Sequence, residues 1–150
     1  MRDNGLPVLM YHALHVDGSD SAHLDPVYSV TAAEFAAQLD WLRANGYRTV
    51  RLDDPQETSA KRVVISFDDG DVSNVTIALP LLRERGMVAE FFITSDFIGQ
   101  PGMLTAQDVR TLAQAGMGVQ SHGRSHRFLE DLDYEAMHAE LRDSKERLEH

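Results

Sequence analysis

Short runs rich in β-branched, aromatic or methionine side chains alternate along this chain with segments patterned for helices. That alternation limits the available folds more than any other feature. Strands are expected at Val8 to His12, Tyr47 to Leu52, Val63 to Phe67, Val88 to Thr94 and Met117 to Ser121, several of them bounded by Gly or Pro. The stretch Thr31-Ala32-Ala33-Glu34 reads as a capping box, after which Phe35, Leu39 and Leu42 recur at helical spacing. A second helix is expected over Val72 to Arg85, kinked at Pro80 and stopped at Gly86. A third starts at Thr105-Ala106-Gln107-Asp108 and ends near Gly116, and a fourth is capped by Asp133 with Met137, Leu141 and Leu148 as its apolar stripe. Strands that alternate with helices imply an α/β fold with parallel strands joined by right-handed crossovers.

Two of these strands end in residues that carry chemistry. Ser66-Phe67-Asp68-Asp69-Gly70 closes one, and Ser121-His122-Gly123-Arg124-Ser125-His126 closes a later one. Asp-Asp-Gly alone is the composition of an ordinary turn, and His-x-x-x-His alone is a common surface coincidence. Placed together at two strand ends, they make a ligand set of one Asp and two His, with a second Asp to spare. Such a set suits zinc or another first-row divalent ion and leaves coordination positions open. A cation of that kind lowers the pKa of its water from ~15.7 towards ~7, so a neighbouring carboxylate can take the proton. Successive strand residues point to opposite faces. Asp68 and Asp69 therefore converge only if the chain turns after the strand, which Gly70 permits.

The two motifs make the chain similar to the polysaccharide deacetylases, carbohydrate esterase family 4, with its NodB-like homology domain. Val63 to Gly70 resembles that family's first catalytic motif and Ser121 to His126 its metal-histidine motif. Pro7-Val8-Leu9-Met10-Tyr11-His12 resembles the opening strand, Phe35 to Tyr47 the first helix with its Asn-Gly stop, and Phe91-Phe92-Ile93 the strand between the motifs. The resemblance implies a partial or distorted (β/α) barrel. It assigns Asp68 as general base and Asp69, His122 and His126 as ligands of a divalent ion, zinc foremost, with cobalt or nickel as alternatives. His12 has two readings, a packed imidazole with a satisfied ring, or one that lines the site and assists proton transfer, as Tyr-His does in biofilm-polysaccharide members. Gly123, Asp71 and Glu90 depart from the family pattern, and its later motifs, an Arg-containing groove wall, an Asp-Trp pair and a Leu-x-His, find no match. A complete barrel of alternating strands and helices needs ~200 residues or more. These 150 residues are therefore expected to be one domain, 1–150, incomplete at its C-terminus. An open barrel of this kind exposes a sheet edge after Met117 to Ser121, for which pairing with a second copy is one remedy.

The implied activity is removal of N-acetyl groups from an N-acetylglucosamine-type glycan. Two alternatives belong beside it: a related amidohydrolase acting on small cyclic amides or ureides, and an inactive carbohydrate-binding or assembly module. A net charge of −10 and a pI near 5 argue against a nucleic-acid partner, which needs clustered Lys and Arg. No run approaches the ~18 apolar residues of a membrane span, and Met1-Arg2-Asp3-Asn4-Gly5 lacks a signal-peptide core. The family implies an extracytoplasmic or cell-surface location, and the absence of cysteine fits either compartment. Val16 to Pro26 and Asp53 to Lys61 read as polar loops, and His15, His23, His138 and His150 as solvated.

Overall fold

The β-branched run centred on Ile65 becomes the middle strand of a parallel sheet. The computed structural model describes residues 5–18, 25–54 and 61–149. Met1 to Asn4, His23, His150 and parts of the two polar loops lie outside the described residues. In chain order the elements are β1 (Val8–Tyr11), β2 (Ala13–His15), β3 (Ser29–Thr31), α1 (Ala32–Ala44), β4 (Tyr47–Thr49), β5 (Lys61–Asp69), α2 (Leu79–Glu84), β6 (Glu90–Ile93), α3 (Ala106–Gln114), β7 (Gly118–Ser121) and α4 (Tyr134–Glu149). A π-helical turn, Asn74–Ala78, leads into α2, and short 3-10 turns occupy Ser95–Phe97 and Leu129–Asp131.

All strand pairings are parallel. The main sheet runs β1-β5-β6-β7, with β4 on the first residues of β5. It does not close on itself, so among the described residues the α/β architecture is an open arc of barrel. The five expected strands are present. The unforeseen β2 and β3 pair with each other, each too short, at three residues, to display a period.

Register explains the core. Tyr11, Phe67 and Phe91 stand opposite one another on adjacent strands, with ring centroids 5.4 and 5.1 Å apart. Phe35 of α1 meets Tyr11 and Phe67 edge-on at 5.0 and 5.5 Å. Phe35, Phe67 and Phe91 have no exposed surface, and burying each contributes about 1.5–3 kcal/mol.

One residue earlier, the other face carries Met10, Ser66, Glu90 and Gly118 in register. Glu90 is fully buried. Its Oε1 accepts from Leu52 N at 2.7 Å and its Oε2 from Gln120 Nε2 at 3.0 Å. A Cβ on Gly118 would lie 1.9 Å from Glu90 Oε2. The Glu90 departure thus has a structural reason: the carboxylate fills the space that Gly118 leaves.

Three expectations need correction. Pro80 does not kink a continuous helix; it sits in the first turn of α2, where its missing N–H costs little, and the π turn precedes it. In α4 only part of the expected stripe packs: Leu148 lies against the core and Met137 is half-buried, but Leu141 is 47% exposed, and the buried positions are Glu140 and Ser144. His15 is half-buried in β2 and its Nδ1 has no partner, whereas His138 is exposed as expected.

Candidate functional site

The C-terminal ends of β5, β6 and β7 lie side by side, since Asp69 pairs with Ile93 and Ile93 with Ser121. His122 N donates to Ile93 O at 2.9 Å, which sets the first imidazole across β6 from Asp69. The turn that re-aims the second carboxylate begins one residue earlier than the sequence suggests. Asp69 itself has φ 73°, followed by Gly70 at φ 93°. This breaks the alternation that would point Asp69 into the Phe67 face. Gly70 also allows a close approach, for a Cβ there would stand 3.3 Å from Ile93 Cδ1.

The loop after β7 is fixed from both sides. Gly123 O accepts from Ser95 N at 3.1 Å and Arg124 O from Asp96 N at 2.8 Å, tying it to the loop after β6. Ser144 Oγ of α4 donates to Gly123 O at 2.9 Å. Gly123 takes φ 82°, a conformation that accounts for glycine at this departure from the family pattern. His126 closes the loop at φ 61°.

Asp69 Oδ1 lies 3.1 Å from His126 Nε2 and 3.6 Å from His122 Nε2. The imidazole rings are 5.1 Å apart. Asp69, His122 and His126 each offer a ligand atom within 4.8 Å of the others. Asp69 Oδ1 is nonetheless buried without a hydrogen-bond partner. A buried carboxylate oxygen facing two imidazole nitrogens without bonding either is the arrangement a divalent cation would satisfy, so the donor set fits such an ion. Asp69 and His126 are also the only non-glycine residues with positive φ among those described. Each such conformation costs about 1–3 kcal/mol and persists only where its surroundings impose it.

Asp68 is half-buried beside this trio. Burial pushes its carboxyl above the ordinary value, opposed by His122, His12 and His126 and reinforced by Asp69. The structure thus brings all five expected site residues within electrostatic reach. His12 is half-buried, its carbonyl accepting from Asn74 Nδ2 at 2.9 Å and its ring 4.8 Å from that of the exposed Tyr28.

An open depression of about 370 Å³ adjoins the trio, lined by His122, His126, Phe128, Leu129 and Glu140 among others. Phe128 is 74% exposed and gives the depression an apolar rim. A second groove, about 450 Å³ and lined by Leu9, Tyr11, Trp41 and Tyr47, shares no residue with it. No helix among the described residues is long and apolar enough to cross a membrane.

Sequence reasoning missed what stands behind the histidine loop. Glu140 accepts from Ser125 N and from Ser125 Oγ at 2.9 Å, and Arg124 pairs with Asp143 at 3.1 Å. Polar residues on a charged helix look like a solvated face, so no signal pointed to them.

The chain has relatives in sequence and in fold. Residues 55–150 match the family model for polysaccharide deacetylases. A Bacillus subtilis (strain 168) protein, "Putative polysaccharide deacetylase YxkH", is 34% identical over 147 residues, covering 93% of this chain. The chain spans about half, 50%, of that relative's length. The Streptococcus pyogenes deacetylase PplD, solved with acetate, superposes with a TM-score of 0.84 at 27% identity over 95% of this chain and 67% of its own. A polysaccharide deacetylase from Bacillus cereus gives 0.82 at 29% identity over 96% and 46%.

Proposed function

Because this chain belongs to the polysaccharide deacetylase family, we propose that it carries the metal-binding part of an enzyme that hydrolyses N-acetyl groups on an amino-sugar glycan. The observation that carries this reading is the orphaned Asp69 Oδ1 between His122 Nε2 and His126 Nε2. Those three residues would hold a divalent ion, zinc by donor chemistry. When bound, the ion supplies Lewis acidity at the acetyl carbonyl and acidifies nearby water.

Asp68 takes the proton from the attacking water as its oxygen bonds to the carbonyl carbon. Its burial favours this role, because a carboxyl whose pKa is raised is a stronger base. The C–N bond then breaks, acetate leaves, and the sugar nitrogen takes a proton. Within this chain His12 is the candidate donor, standing beside Asp68 at the end of β1. The exposed Phe128 next to the histidines offers an apolar surface for a sugar ring or acyl group.

The test is elemental analysis of the purified chain together with acetate release from N-acetylated chito-oligosaccharide. One equivalent of divalent metal is expected, lost in Asp69→Ala. Asp68→Asn should keep the metal and lower turnover ~10²–10⁴-fold, and His12→Ala should reduce turnover more than metal content. Absence of stoichiometric metal, with glycan binding unchanged in Asp69→Ala, would overturn the proposal in favour of a binding module.

A further inference from the structure

We infer that Glu140 is a positioning residue for the cation site, its buried carboxylate fixing the backbone at Ser125 so that His126 is held facing Asp69. The inference rests on the metal reading above and extends it to a residue outside the ligand set.

Glu140 is 4% exposed. Glutamate is seldom buried this far without partners that compensate its charge. Its partners all lie in the histidine loop: Ser125 N donates to Oε1, Ser125 Oγ lies 2.9 Å from Oε1 and 3.1 Å from Oε2, and Arg124 Nε stands 3.9 Å from Oε2. Ser125 immediately precedes His126, which adopts the left-handed φ of 61°. A histidine does not hold that conformation by its own preference. The side chain of His126 is 46% exposed, and its ring lies 6.1 Å from that of Phe97 and 5.1 Å from that of the fellow candidate ligand His122. Nearly half of the side chain thus faces solvent, and the backbone conformation is what aims the ring at Asp69. One turn along α4, Ser144 Oγ grips Gly123 O at 2.9 Å, so the same helix holds the loop on both sides of Arg124. Groups behind a ligand typically set its orientation and the affinity of the site.

Zn²⁺ titration calorimetry on the full chain, alongside thermal melting, tests this. Wild type should bind one Zn²⁺, and Asp69→Ala should abolish binding. Glu140→Ala should weaken binding about 10–100-fold. Glu140→Gln should stay within about threefold, because its amide oxygen can still accept from Ser125 N and its NH₂ can donate to Ser125 Oγ. Leu148→Ala, which loosens α4 against the core without touching the loop, should lower Tm and leave the Zn²⁺ Kd unchanged. Glu140→Ala with wild-type affinity overturns the inference while leaving the metal reading intact. So does Leu148→Ala weakening Zn²⁺ as much as Glu140→Ala, since that marks a general docking role. If Glu140→Ala does not fold, Glu140→Asp decides, since it keeps the charge but draws the carboxylate one methylene back from Ser125 N: weaker Zn²⁺ binding supports the inference and unchanged binding overturns it. A wild-type chain that binds no Zn²⁺ overturns both readings.

Discussion

Helices α1 and α4 both lie against the sheet, yet they are buried for opposite reasons. Helix α1 turns Phe35, Leu39 and Leu42 inward onto the aromatic ladder, and its attachment is hydrophobic. Helix α4 buries Glu140 and Ser144 most deeply and leaves Leu141 47% exposed; beyond the contact of Leu148 with the core, its attachment is a set of hydrogen bonds to the loop carrying His122 and His126. An apolar interface is roughly proportional to area and tolerates small shifts. A buried carboxylate is directional, and it is costly when a partner is lost. The first helix thus stabilises the fold, whereas the second fixes one loop in one conformation.

This contrast can be broken or sharpened by mutation. Phe35→Ala should cost about 3–5 kcal/mol in denaturant unfolding, with the Zn²⁺ affinity of the folded protein unchanged; a loss of affinity at equal foldedness would erase the distinction. Ser144→Ala removes the donor to Gly123 O and the 2.7 Å partner of Ser121 Oγ, and should cost about 1–3 kcal/mol while also weakening Zn²⁺. Thr31→Ala, which deletes the cap accepting from Glu34 N, should cost about 1 kcal/mol by thermal melting with no effect at the site. A smaller effect is expected in acid. The Arg85 guanidinium holds the Asp40 carboxyl of α1 below the ordinary carboxylate range. Its stabilisation is therefore present above about pH 4 and fades as pH falls through the depressed value. Arg85→Met should flatten that part of the pH–stability curve. The smallest change belongs to Leu141→Ala, within about 0.5 kcal/mol, although sequence periodicity places this residue in the apolar stripe.

What could be read from sequence follows the same division. Phe35, Leu39 and Leu42 repeat at 3.6 residues because they face one apolar surface, and the ladder strands show their β-branched and aromatic bias for the same reason. That Asp68, Asp69, His122 and His126 come together was legible because their motifs end strands that lie near one another in a parallel sheet. The turn at Asp69 was not, since a non-glycine residue gives no sign of a positive φ that its neighbours impose. Glu140 and Ser144 were invisible because a polar side chain satisfied by a distant loop has the same local pattern as one satisfied by water. Strands β2 and β3 were missed for lack of length, and Pro80 was misread because a π turn ahead of a helix leaves no periodic trace.

The fit between Glu90 and Gly118 bears on how such a chain can change over generations. Glu90 Oε2 stands where a Gly118 Cβ would come, so alanine at 118 would push the carboxylate off its donors Leu52 N and Gln120 Nε2. Shortening Glu90 first opens the space but strands Leu52 N and Gln120 Nε2. Either single step is disfavoured, so the two positions are expected to be exchanged together, an epistatic pair on the face of the sheet opposite the aromatic ladder.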